Sequence, residues 1–195
     1  MNSKISSHSL SSYSLSSWAV LIALALLMVA TRAFHIGSTL HLPDASWAVF
    51  FLAGFYLGFA AFGVLLFEAV AIDLIYLMNG GDPYCFSVAY AVLVFAYLTL
   101  WFGGRWSGRA QRGTGADLLY AFCGWLISAP IAYLLSNGSF YWLSGKAVDP
   151  SLAGWLQNAR IWAFGFIVQP VMYLVVAAVA HVIVRRLHTR EVVAA

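Results

Sequence analysis

Cys85 stands in the stretch GGDPYCFSVAY, residues 80–90, five positions before Tyr90. The turn Gly80-Gly81-Asp82-Pro83 ends one apolar run, and the thiol falls in the first turn of the next. At a helix N-terminus the macrodipole favours the thiolate. A thiolate at an open helix mouth is a soft metal ligand. The plainer reading is a small packing residue, a common role for a free cysteine. Tyr90 lies about 140° round the helix from Cys85, so its meaning depends on what else comes near.

The rest of the chain sets the solvent for this chemistry. Of its 195 residues, 63% are hydrophobic and 9% are charged, and the mean hydropathy is +0.85. A soluble domain carries roughly 25% charged residues. Such a chain cannot cover a surface that faces water, so the expected class is an all-α integral membrane protein. The net charge of +3 gives no reason to expect a nucleic-acid partner. Two cysteines make no disulfide framework.

Ionisable groups inside a membrane cost about 2.5–3.5 kcal/mol on insertion scales, so each one needs a reason. Asp73 is a candidate binding residue or half of a buried ion pair. Arg160 is its candidate partner or an interfacial anchor. His35 closes the first apolar run as a ligand-side residue or a simple cap. His41 and Asp44 follow it, at a spacing unlike the i, i+4 metal pattern. Glu68 reads as solvated near an inner turn, and Cys123 as packing. One thiol without paired histidines is a poor zinc site. It suits a metal whose other positions are already filled, as in haem or a corrin ring.

A helix needs about 20 apolar residues to cross the hydrocarbon. The runs are Trp18–Phe34, Trp47–Met78, Pro83–Phe102, Ala116–Leu135 and Arg160–Arg185. The second is long enough for two short spans meeting near Gly63–Glu68, with a single helix as the alternative. Six spans are expected, in one domain over 18–188. Residues 1–17 read as a disordered polar tail and 189–195 as a C-terminal tail. Arg105, Arg109 and Arg112, with Arg185, Arg186 and Arg190, belong on the cytoplasmic side, which puts both termini there. His35, Asp73, Cys85, Tyr90 and Arg160 then converge near the outer face. Segment 150–159 reads as a short interfacial helix with Trp155 at headgroup level, and the aromatic residues of 136–155 as a lid.

The segments LHLPDASWAVFFLAGFYL and GGDPYCFSVAY resemble the BtuM family of small bacterial cobalamin transporters, relatives of the S-components of energy-coupling-factor transporters. The resemblance implies a six-helix fold in the bacterial inner membrane that binds cobalamin on its outer side. It implies Cys85 as the cobalt ligand, with His35, Asp73, Tyr90 and Arg160 around the corrinoid. It also implies that the thiolate assists removal of cyanide from cyanocobalamin. A coupling module would dock on the first helix, where Ala19 and Ala23 have the matching four-residue spacing. There is no Walker sequence for ATP hydrolysis. Other readings are a corrinoid-processing enzyme, a haem- or quinone-binding subunit using His35, His41 and His181, and a structural membrane protein without a ligand.

Overall fold

The computed structural model describes residues 15–33, 42–81, 87–109 and 113–194, and among these the chain is helical, with no strand. The helices are α1 (Leu15–Met28), α2 (Ser46–Tyr56), α3 (Phe59–Met78), α4 (Val88–Gly108), α5 (Thr114–Leu143), α6 (Leu152–Ala163) and α7 (Val171–Ala194). Two π-helical turns, Val29–Ala33 and Phe164–Val168, extend α1 and link α6 towards α7. Among the described residues five helical stretches are long and apolar enough to cross a membrane. The physical reason for the helices is the solvent: in lipid every backbone N–H and C=O must be satisfied within the protein. The chain is a multi-pass helical membrane protein.

The run 47–78 does divide in two, but not where its sequence suggests. The helix breaks at Leu57 and Gly58, both in extended conformation. Gly63 lies inside α3, and a Cβ there would meet nothing. Glu68 is consequently mid-helix and half-buried, not beside a turn. The 11 residues of α2 span about 16 Å, half the roughly 30 Å hydrocarbon thickness. This short helix is buried without interruption from Ser46 to Gly54, and the longer helices surround it.

Its contact with α4 is nearly backbone to backbone. A Cβ at Gly54 would collide with the Trp101 carbonyl, and one at Gly104 with the Phe51 carbonyl. Small residues permit this approach, which dispersion then rewards. Phe50 stacks on Tyr97, with ring centroids 4.1 Å apart. On the other side of α4, Gly103 and Ser107 meet Ser128 and Gly124 of α5, respectively. Ser107 Oγ donates across that seam to the Tyr120 carbonyl at 2.9 Å.

At 30 residues, α5 is about 45 Å long and outruns the hydrocarbon. Residues 136–143 therefore continue a helix and do not form a loop lid. This extension pairs with α6: Tyr133 donates to the Ala159 carbonyl at 2.6 Å, and Asn137 Nδ2 to Asn158 Oδ1 at 2.9 Å. Trp155 Nε1 donates to Asn137 Oδ1 at 3.1 Å, so Trp155 is a helix-packing residue. Ser151 caps α6 by accepting from Gly154 N at 3.2 Å. From Leu152 the path is helical to Leu187 apart from Gln169-Pro170, with a π turn within it, so 152–159 begins the same helical stretch that carries the last span. Similarly, α7 runs to Ala194, into the segment expected to be a tail.

Candidate functional site

Arg32 occupies the π turn that ends α1. A π turn adds a residue to the helical repeat and re-aims the side chains beyond it, a device frequent at functional sites. Here the guanidinium points inward, with its side chain 11% exposed. Its Nε donates to Asp73 Oδ1 at 2.7 Å, and Nη2 bonds the other oxygen, Oδ2. This is the two-pronged arginine–carboxylate geometry, stronger and more directional than a single contact.

The remaining nitrogen, Nη1, donates to Ser46 Oγ and to the Tyr97 hydroxyl, both at 2.9 Å. It also lies 3.5 Å from Asp44 Oδ2. Ser46 holds Asp44 in turn, through its backbone N–H at 2.9 Å and its hydroxyl at 2.6 Å. Tyr90 donates to Asp73 Oδ2 at 2.7 Å. Next to this cluster, Thr31 Oγ1 accepts from Ala45 N at 3.1 Å, and Tyr173 donates to the Pro43 carbonyl at 2.5 Å. One arginine thus ties the end of α1 to α3, α4 and the segment that opens α2. Two carboxylates share it, so the described cluster has one formal negative charge in excess.

Of the residues expected at the site, Asp73 and Tyr90 are brought together. Arg160 is not: it lies within α6, exposed, and Arg32 holds the place foreseen for it. Cys85, His35 and His41 lie outside the described residues. Ser46, Tyr97 and Arg32 were missed as site residues. The recoverable signal was the Tyr90–Tyr97 spacing of seven, which puts both hydroxyls on one face of a helix.

A second polar cluster lies at the other end of α2. Asp117 is buried at the start of α5. It faces Arg185 Nη2 at 3.2 Å and His181 Nε2 at 3.7 Å, both from α7. The His181 Nδ1 shares a 3.1 Å hydrogen bond with the Tyr56 hydroxyl. The imidazole is thus hydrogen-bonded through Nδ1, while its Nε2 is buried without a hydrogen-bond partner among the described residues. Cys123 is a half-buried free thiol on α5. Among the described residues no group of three or more His, Cys, Asp or Glu could hold a metal ion.

No family model matches the chain, and comparison with curated proteins finds no match. Fold and site together define a multi-pass helical membrane protein with a buried, arginine-centred polar cluster at one end of the bundle and a second cluster at the other.

Proposed function

We propose that the chain is a corrinoid-binding transport protein of the bacterial inner membrane, with Cys85 as axial ligand to the cobalt of cobalamin. In this reading α2 supplies the sixth segment of a bundle like that of the S-components, and the Asp73 end faces outward. The termini are cytoplasmic, with the arginine-rich end. The observation that carries the proposal is the Tyr90–Asp73 hydrogen bond. It brings two of the expected ligand residues together from different helices, and Tyr90 sits in the first turn of α4, the helix that follows the cysteine segment.

The chemistry suits such a cargo. A corrinoid presents its cobalt to a soft donor and its peripheral amides to hydrogen-bonding groups. Cys85 supplies the first. Asp73 and Asp44 accept hydrogen bonds, and Arg32 pairs with both carboxylates at a depth where an unpaired one would be costly. His35 completes the set in this reading; Arg160, exposed on α6, would join only at the rim. Thiolate bonded trans to cyanide weakens the cobalt–carbon bond, and cyanide departs as the anion with its electron pair. Any accompanying reduction of cobalt draws its electron from an external thiol or other reductant. Ala19 and Ala23 are exposed on α1, which supports docking of a coupling module there.

The test is the visible spectrum of the protein purified after growth with cobalamin. A thiolate–cobalt band is expected, and Cys85→Ala should abolish it while leaving weak corrinoid binding. An identical spectrum in wild type and variant defeats the assignment. Turnover separates transporter from enzyme: conversion of many equivalents of cyanocobalamin by purified protein with reductant would favour an enzyme.

A further inference from the structure

We infer that a groove between α5 and α7, in the Asp117 half of the molecule, is a binding site for one anionic phospholipid. The cavity has a volume of about 350 Å³ and is floored by Phe51 and Phe55 of α2, within the range of ligand sites. Its walls include Phe122 and Leu126 on α5, Val168 in the π turn and Val175 on α7, each about half exposed. It therefore opens sideways, towards the bilayer. Along the π turn and α7 it runs from Val168 to His181, about 20 Å. One leaflet of hydrocarbon is about 15 Å deep, so an acyl chain fits along its length.

The two ends of the groove differ in charge. Near Val168 it is apolar. At its other end lies His181, and one helical turn beyond it are Arg185 and Arg186. Asp117 neutralises Arg185. Arg186 is exposed and pairs with no described residue, and the same holds for Arg105 and Arg109 at the end of α4. An apolar slot on α7 that leads towards the Arg186 guanidinium complements an acyl chain ending in a phosphate. A helix from another protein fits less well: helix docking in membranes uses small residues that let backbones meet, as Gly54 and Gly104 do here, whereas the half-exposed walls of this groove are Phe122, Leu126, Val168 and Val175, and its few small residues are alanines without a glycine. The site lies at the opposite end of α2 from the proposed corrinoid site and stands or falls independently of it.

The experiment is native mass spectrometry of the full-length detergent-purified protein. It is supplied with phosphatidylglycerol, with phosphatidylcholine of the same acyl chains, or with glycerol phosphate alone. One phosphatidylglycerol should be retained per chain, in preference to phosphatidylcholine, and glycerol phosphate should not compete. Ala178→Phe, which fills the groove, should abolish retention. Arg186→Gln should weaken it about fivefold, the loss of one surface cation. Thermal unfolding in detergent checks that both variants remain folded; if Ala178→Phe does not, Ala178→Leu replaces it. Equal retention of the two lipids overturns the proposal. So does wild-type retention in a folded groove-filling variant, which would put the lipid on the charged surface alone.

Discussion

At the Asp73 end of the bundle an arginine grips its acid with two nitrogens and is 11% exposed; at the Asp117 end another meets its acid through Nη2 at 3.2 Å and is 42% exposed. The two clusters have similar parts: an aspartate, an arginine and tyrosine. They differ in how many elements depend on them. Arg32 joins α1, α3, α4 and the lead into α2. Arg185 joins α7 to α5. The first therefore acts as a fastening for several helices, and the second as a polar contact whose loss leaves Asp117 near His181. Position in a membrane protein does not by itself make an ion pair structural; the number of elements it ties and its distance from water do.

The largest expected effect follows. Arg32→Met leaves the part-buried Asp73, 18% exposed, without its fork and with Tyr90 as its donor. Removing one partner of a buried pair costs about 3–5 kcal/mol. Unfolding in mixed micelles should show a loss of that order. Arg32→Met combined with Asp73→Leu should recover most of it, because the stranded charge is gone as well. A single variant as stable as wild type would mean that the cluster fastens nothing.

How far this architecture was legible in the sequence depends on the kind of signal. Asp73 stands out because a carboxylate in an apolar run demands a partner, whereas Tyr90 stands out only by its spacing from Cys85 and by the family resemblance. The partner itself does not. Arg160 and Arg32 both sit near helix ends in the sequence, and the choice between them rests on the π turn at Val29–Ala33, which has no residue signature. The three glycines of 47–63 teach the same lesson. Gly58 marks the break, Gly54 lets two backbones meet, and Gly63 faces open space. Before folding, nothing local tells these roles apart, because each is set by a neighbour on another helix. The number of apolar runs was plain; the 11-residue length of α2 was not, since an apolar residue reads alike whether protein or lipid covers it.

That contrast between glycines gives the second prediction. Gly104→Ala pushes a methyl group into the Phe51 carbonyl, and two packed backbones must separate to take it. Overpacking of this kind costs about 1–3 kcal/mol. Gly63→Ala meets no atom and adds a better helix former, so it should be neutral or stabilise by up to about 1 kcal/mol. Unfolding of the two variants side by side checks this. Equal losses would show that α2 and α4 are not in backbone contact.

The smallest effect belongs to the Asp117 end and bears most directly on the comparison. Arg185→Gln removes a cation that is 42% exposed, so water and lipid headgroups already screen its pairing with Asp117. Exposed pairs contribute about 0–1 kcal/mol. The glutamine can still offer Asp117 a hydrogen bond, and His181 remains beside the carboxylate, with Tyr56 holding the far side of its ring. The expected loss is therefore below about 1 kcal/mol, several times smaller than for Arg32→Met under the same conditions. Arg185→Ala adds a control, since it removes the hydrogen bond along with the charge and should lie between the two. If Arg185→Gln instead destabilises as much as Arg32→Met, exposure does not separate the two ends, and the Asp117 cluster fastens α5 to α7 as firmly as Arg32 fastens its neighbours.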